Sequence, residues 1–178
     1  DSVSFKNSIS IDGRTIGAGQ PAYIIAEMSA NHNQDYSRAE ALVRAAADCG
    51  VDAVKLQTYT ADTLTMACDN EYFRIKGTIW EGRTLHDLYQ EAYTPWEWQP
   101  KLKALAESLG LACFSSPFDP TSVDFLEGMG VHAYKIASFE LVDIPLIRYV
   151  ASKGKPMIMS TGMGTQEEIK EALQAAYL

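Results

Sequence analysis

Apolar positions along this chain fall into two alternating textures: short strand-length runs, and longer stretches in which they recur every three or four residues. The runs cover 22–27, 53–57, 111–115, 133–137 and 157–160, and most are rich in Val, Ile, Tyr or Phe just after a Gly or Pro. Between them the helical period takes over. Ser37 and Glu40 read as a capping box, followed by Ala39, Leu42, Val43, Ala46 and Cys49 on one face and Gly50 as the stop. Thr94, Pro95 and Glu97 signal a second start, with Leu102, Leu105 and Leu109 inward and Gly110 after them. Asp119-Pro120 opens a helix through Val123 and Leu126, and Asp143 caps one carrying Leu146, Ile147 and Val150. Thr165 and Glu168 open another, with Ile169, Leu173 and Ala176 on its face. At the amino end, 3–11 and 14–16 flank Asp12-Gly13, a hairpin signal.

The order is thus a hairpin followed by βαβαβαβαβα, which predicts a parallel sheet covered by helices. Either a doubly wound open sheet or part of a (β/α)8 barrel can hold that unit. No GxGxxG or P-loop follows the first strand, so the common nucleotide-binding open sheet lacks support. A full barrel needs about 250 residues, and the chain has 178. The expectation is an α/β chain in which residues 1–20 form an N-terminal hairpin, a plug or lid below the first strand. Residues 21–178 would then form the first part of a TIM-type barrel, with five βα units present and the remainder of the barrel absent.

Composition narrows the class. With 47% apolar and 21% charged residues the chain is in the globular range. Fifteen basic against 23 acidic side chains leave a net charge of −8, which argues against sequence-independent nucleic-acid binding. No apolar run approaches the roughly 18–20 residues of a membrane helix, and 1–12 lack a signal peptide's apolar segment. Cys49, Cys68 and Cys113 are too widely spaced for a disulfide framework or a zinc site. A cytoplasmic protein that makes no contact with nucleic acid or membrane is the expectation.

Polar chemistry collects at the carboxyl ends of the runs. The first ends in Glu27, the second carries Lys55 and Gln57, and the third leads into Ser115 and Ser116. The fourth carries Lys135 and runs on to Ser138 and Glu140; the fifth ends in Ser160, Thr161 and Gly162. In a parallel barrel this is the face where catalytic groups gather. Lysines inside apolar strands need partners. One reading pairs them with Glu27 and Glu140 as structural salt bridges. The other has them await an anionic ligand, with the hydroxyls of Ser116, Ser138, Ser160 and Thr161 as further donors and Gly162 and Gly164 permitting close backbone approach. Two cations, hydroxyls and a glycine turn at a helix start describe a phosphate site.

Asn31-His32-Asn33 follows the first strand; His32 reads as a hydrogen-bonding or exposed group rather than a ligand, and His132 as structural. The three histidines show no metal-ligand spacing. The stretch from Thr58 to Tyr93 far exceeds a usual βα loop of about 2–6 residues. It carries Asn70, Tyr72, Phe73, Trp80, Arg83, Tyr89 and Tyr93. It reads either as a specificity loop that seats a sugar or as a small subdomain burying its own rings.

These residues resemble the sialic acid synthase family. The matching stretches are Ala22-Tyr23-Ile24-Ile25-Ala26-Glu27 with Asn31-His32-Asn33, Val54-Lys55-Leu56-Gln57, and Phe114-Ser115-Ser116-Pro117-Phe118-Asp119. Ala133-Tyr134-Lys135-Ile136-Ala137-Ser138 with Glu140, and Ser160-Thr161-Gly162-Met163, complete the set. Thr58-Tyr59-Thr60-Ala61-Asp62-Thr63, Gly82-Arg83-Thr84-Leu85 and Glu91-Ala92-Tyr93-Thr94-Pro95-Trp96-Glu97-Trp98 look like the pseudaminic acid synthase branch.

The resemblance implies a (β/α)8 barrel that condenses phosphoenolpyruvate with an aldehydo-sugar to give a nonulosonic acid and phosphate by C–O cleavage. For this branch the sugar is 2,4-diacetamido-2,4,6-trideoxy-L-altrose; N-acetylneuraminate and legionaminate synthases are the alternatives within the family. The matching positions imply that Lys55, Ser116, Lys135, Ser138, Ser160, Thr161 and Gly162 hold phosphoenolpyruvate. They imply active-site carboxylates in Glu27 and Glu140, and sugar contacts from Gln57, Asn31, Asn70 and Tyr72. Ser116 stands where several family members have Thr, which keeps the hydroxyl. The resemblance also implies a divalent metal, Mn2+ or Mg2+, with histidine ligands on later strands, a C-terminal antifreeze-like domain and a homodimer. Neither the later strands nor that domain is in this chain, so the chain by itself is expected to be inactive. Two rival classes stay open: a Schiff-base aldolase using Lys135, and a non-catalytic module that binds a phosphorylated metabolite.

Overall fold

The structure, a computed structural model, describes residues 6–177. The expected hairpin strand began at Val3, so its first three residues lie outside the described ones. Strand β1 (Ser8–Ile11) pairs antiparallel with β2 (Arg14–Gly17). Asp12 and Gly13 between them both take positive φ, 48° and 78°. Two successive left-handed residues are what a tight hairpin turn requires, and Asp-Gly adopts them at low cost.

Strands β3 (Ile25–Glu27), β4 (Ala53–Thr58), β5 (Ala112–Pro117), β6 (Tyr134–Ile136) and β7 (Met157–Met159) form one parallel sheet in that consecutive order. A doubly wound sheet reverses its strand order at a switch point. Here it never reverses, which is the winding of a (β/α) barrel. The barrel expectation stands and the open-sheet alternative falls away.

The sheet's two faces follow from strand alternation. Val54, Leu56 and Cys113 pack outward against Ala39, Val43, Leu102 and Ala106 of α1 (Tyr36–Asp48) and a later helix, Gln99–Ser108. Tyr134 and Ile136 share a second core with Val123, Leu126, Leu146 and Ile147. The inner face is layered by the register. Ile25, Ala53 and Ala112 lie side by side at the amino end; Glu27, Lys55 and Phe114 come next; then Gln57 beside Ser116. Ile11 of the hairpin is fully buried in the same cluster as Ala53, Ala112 and Ala133, so the hairpin plugs the amino-terminal end of the sheet. Arg14 pairs with Asp52 there, and the Ile24 N–H donates to the same carboxylate at 2.7 Å. His132 lies 3.4 Å from Asp12, a structural tie between the start of β6 and the hairpin.

The helix ends depart from expectation in two places. Asp35, not Ser37, caps α1, accepting from the N–H groups of Ser37 and Arg38. A carboxylate beside a helix N-terminus is the stronger acceptor, and it gains from the dipole. The helix expected from Thr94 starts at Gln99 instead, after a 3-10 turn over Trp96–Trp98. The Thr94 hydroxyl is engaged elsewhere, as described below. The long excursion contains two short helices that the periodicity did not predict, α2 (Ala61–Leu64) and α3 (Leu85–Ala92), so the Gln99–Ser108 helix is α4. The remaining helices are α5 (Pro120–Gly128), α6 (Ile144–Ala151) and α7 (Gln166–Ala176), capped as expected by Asp119, Asp143 and Thr165.

Candidate active site

The carboxyl end of the sheet collects most of the expected site residues. Glu27 and Lys55 are register partners on β3 and β4, and their side chains form an ion pair at 2.6 Å. Lys135 enters from β6. Its ammonium donates to the Ser160 hydroxyl at 2.6 Å and to the Ile136 carbonyl at 3.0 Å, and among the described residues it forms no ion pair. The structural pairing of both lysines is therefore half realised: Glu27 takes Lys55, while Glu140 does not take Lys135.

Three groups at this end are left waiting. The Ser116 hydroxyl is buried without a hydrogen-bond partner, and so is one Glu140 oxygen, Oε2. A buried polar atom without a partner carries a desolvation penalty of about 1–3 kcal/mol, and both of these atoms at the mouth are open to a further hydrogen bond. Lys135 itself is held below the ordinary lysine range, by burial first and then by the nearby Lys55 ammonium, against the pull of Glu27 and Glu140. Burial pushes the Glu140 carboxyl up; Asp143 adds to this, while a backbone hydrogen bond and Lys135 oppose it. The charged form of Lys135 lacks compensation, and an anion beside the ammonium would supply it.

The loops after β6 and β7 close the mouth. Ser138 opens a 3-10 turn, Ser138–Val142, which also carries Glu140. A Cβ on Gly162 would sit 3.0 Å from the Ser138 hydroxyl, and one on Gly164 would sit 2.4 Å from Leu141 Cδ2. The 161–164 turn thus lies directly on the 3-10 turn, at a distance that only glycine permits. Thr161 is exposed beside it, its carbonyl accepting from the Gly164 N–H at 3.2 Å. Ser29, Asn33, Gln34 and Met163 hold positive φ values of 48° to 62°. Four left-handed non-glycine residues in the loops after β3 and β7 are strained backbone at the carboxyl end of the sheet.

Behind the mouth runs a buried polar chain, of which the sequence indicated only His32, as a hydrogen-bonding or exposed group. Gln34 N–H donates to His32 Nδ1 at 3.0 Å, so the fully buried imidazole carries its proton on Nε2 and donates to Thr94 Oγ1 at 2.9 Å. Burial lowers the His32 pKa, which keeps it neutral for this role. The Gln99 amide donates to the carbonyls of Thr94 and Gln57 at 3.4 and 3.3 Å, and accepts from the Thr58 hydroxyl at 2.7 Å. The Ser115 hydroxyl lies 2.6 Å from Thr58 Oγ1. This chain fixes the backbone of Gln57 and the foot of the excursion. Only the polar identity of Gln99 and Thr58 within apolar stretches could have hinted at it.

The expected sugar-contacting residues divide. Gln57 lies at the mouth beside Ser116, and Asn31 lies in the loop after β3. Asn70 and Tyr72 lie in the excursion: Asn70 Nδ2 donates to Cys68 Sγ, Asn70 Oδ1 accepts from the Tyr72 N–H, and Tyr72 is 81% exposed. The excursion folds on itself as a small subdomain. An Arg74–Thr84 bridge and an Arg83–Glu91 ion pair close it, and Tyr59 packs edge-on against Tyr89 and Phe118. Among the described residues no group of three His, Cys, Asp or Glu side chains is placed to hold a metal. Among the described residues no helix is long and apolar enough to cross a membrane.

The sequence profile of the NeuB family matches residues 42–177. The pseudaminic acid synthase of Helicobacter pylori is 46% identical over 154 residues, 86% of this chain and 45% of that protein. That of Campylobacter jejuni subsp. jejuni serotype O:2 is 47% identical over 147 residues, 83% of this chain and 43% of that one. The crystal structure of the N-acetylneuraminic acid synthetase of Leptospira borgpetersenii, in complex with citrate, superposes with a TM-score of 0.82 at 27% identity, covering 95% of this chain and 54% of that one. The chain thus spans rather less than half the length of these two synthases.

Proposed function

Because this chain belongs to the NeuB family, we propose that its strand ends form the phosphoenolpyruvate side of the active site of a nonulosonic acid synthase, an enzyme joining phosphoenolpyruvate to an aldehydo-sugar. The sugar of this reading is 2,4-diacetamido-2,4,6-trideoxy-L-altrose and the product pseudaminic acid; the similarity to two pseudaminic acid synthases supports that choice over neuraminate or legionaminate. The observation that carries the reading is the unsatisfied mouth: Lys135 without a carboxylate, with the Ser116 hydroxyl and a Glu140 oxygen buried and unpartnered.

The chemistry follows from those groups. Phosphoenolpyruvate brings a carboxylate and a phosphate, and Lys55 and Lys135 neutralise them at the inner face. Ser160 accepts from Lys135, so its own proton is free to donate to the ligand. Ser116, Ser138 and Thr161 add hydroxyl donors, and the 161–164 turn adds close backbone. Attack of C3 on the aldehyde develops positive character at C2, which a carboxylate stabilises. With its pKa raised by burial, Glu140 is suited to take a proton from water entering at C2. Loss of phosphate from that hydrated carbon completes the reaction. A divalent metal and a homodimer belong to the proposal for the whole enzyme. The described residues supply no complete metal site.

Calorimetric titration with phosphoenolpyruvate tests the reading. Removing a charged hydrogen-bond donor should weaken binding by about 10- to 100-fold in Lys55→Ala and in Lys135→Ala, with a smaller loss in Ser116→Ala. Unchanged affinity in both lysine variants would end the proposal. A depressed lysine also suits a Schiff-base aldolase. Borohydride with pyruvate would trap an adduct on Lys135 in that case, whereas the synthase reading expects none.

A further inference from the structure

The buried polar chain behind the mouth ends on the strand that carries Ser116, and its direction can be read from its protons. The Thr58 hydroxyl has a single proton, spent on Gln99 Oε1 at 2.7 Å. The Ser115 hydroxyl, 2.6 Å from Thr58 Oγ1, is therefore the donor of that pair. Gln99 spends its amide protons in turn on the carbonyls of Gln57 and Thr94. The bonds thus run from β5 through β4 to the first residue of α4. Thr58 and Gln99 are both fully buried. Polar groups at that depth are costly unless bonded, and a fully satisfied network in return selects one arrangement of the chains around it.

Strand alternation puts this network on the face opposite the site. Thr58 and Ser115 stand on the outer face, in line with Leu56 and Cys113. Their neighbours Gln57 and Ser116, register partners on β4 and β5, face inward. The Ser116 hydroxyl is buried and makes no hydrogen bond of its own. No side-chain bond on the inner face fixes where it stands, so its position is inherited from the backbone of β5. The adjoining residue, Ser115, is the one that is anchored.

We infer that Thr58 and Gln99 are positioning residues: bonded through Ser115, they hold the carboxyl end of β5 from behind, so that the Ser116 hydroxyl stands where the anionic ligand meets it. The inference rests on the synthase reading above, which gives Ser116 its ligand. Neither residue touches phosphoenolpyruvate. Each acts on affinity only through Ser116, and that restriction separates positioning from a general contribution to stability.

A double-mutant cycle read by calorimetric titration with phosphoenolpyruvate tests it. Thr58→Val removes the hydroxyl and is expected to weaken binding by about two- to tenfold, the worth of one neutral hydrogen bond, and by no more than Ser116→Ala does. Thr58→Ser, which restores the hydroxyl, should return affinity to within about twofold of the unmodified protein. Made on top of Ser116→Ala, Thr58→Val should change affinity by less than about twofold, because the group it positions is gone. Three results overturn the inference and leave the synthase reading standing: unchanged affinity in Thr58→Val, a loss that Thr58→Ser does not restore, or an equal loss with and without the Ser116 hydroxyl. If Thr58→Val does not fold, Ser115→Ala takes its place in the cycle. It supports the inference only by weakening binding when Ser116 is present and not when it is absent; any other result overturns it. An unmodified protein that does not bind phosphoenolpyruvate brings down the synthase reading, and this inference with it.

Discussion

At Lys135, burial and the Lys55 ammonium disfavour the charged amine, and Glu27 and Glu140 only partly offset them. A lowered value for a cation means that the proton is lost at a lower pH than from an ordinary lysine. Phosphoenolpyruvate affinity should therefore fall as pH rises through that depressed value, and binding on the alkaline side should take up protons, because the anionic ligand restores the ammonium. Calorimetry in buffers of different ionisation enthalpy reads the uptake. Lys135→Arg, whose guanidinium stays protonated, should abolish the uptake and hold affinity to higher pH; uptake that persists in this variant would place the titration elsewhere. Glu140 has the opposite sense. Its raised value adds stability only while the carboxyl is protonated, and that contribution is lost as pH climbs through the raised value. At this scale the sequence was legible in kind. Residue types at strand ends identified Glu27, Lys55, Lys135 and Ser160, but not which lysine would be paired, because one register step and one rotamer decide that.

Elements carry the next level, and here glycine matters more than charge. The 161–164 turn reaches the 3-10 turn at Ser138–Val142 because Gly164 has no side chain. Gly164→Ala would place a methyl 2.4 Å from Leu141 Cδ2, and Leu141 is 1% exposed, with little room to yield. Overpacking of this kind costs about 1–3 kcal/mol. The expected outcome is a lower Tm together with weaker phosphoenolpyruvate binding, since Thr161 and Gly162 move with the turn. A lower Tm with unaltered affinity would separate the turn from the site. Helix starts were readable at Asp119, Asp143 and Thr165, where a capping side chain precedes a clear apolar period. The start at Thr94 was misread because its hydroxyl accepts from His32, 62 residues away in sequence. The helices of the excursion were unreadable because they are short and largely half-exposed, and tertiary contact stabilises them more than periodicity does.

Across the whole molecule, the hairpin plug and the candidate site lie at opposite ends of one sheet. The amino-terminal end is closed by the hairpin, with Ile11 fully buried against Ala53, Ala112 and Ala133. Ile11→Ala should therefore cost about 2–5 kcal/mol in urea denaturation and leave phosphoenolpyruvate affinity within about twofold. Coupled loss of both would show that the plug also shapes the mouth. The order of apolar runs, the turn at Asp12-Gly13 and the polar strand ends determined, from sequence alone, a parallel α/β chain with chemistry at its carboxyl face. These are local properties: period, capping and turn geometry act over a few residues. Only the tertiary structure decided that Lys55 is paired and Lys135 is not, that Ser116 and Glu140 keep unpartnered atoms, and that Asn31 and Trp80 line one cleft. Each of those depends on residues tens of positions apart meeting within hydrogen-bond or contact range, and such meetings are set by strand register and loop packing rather than by any pattern along the chain.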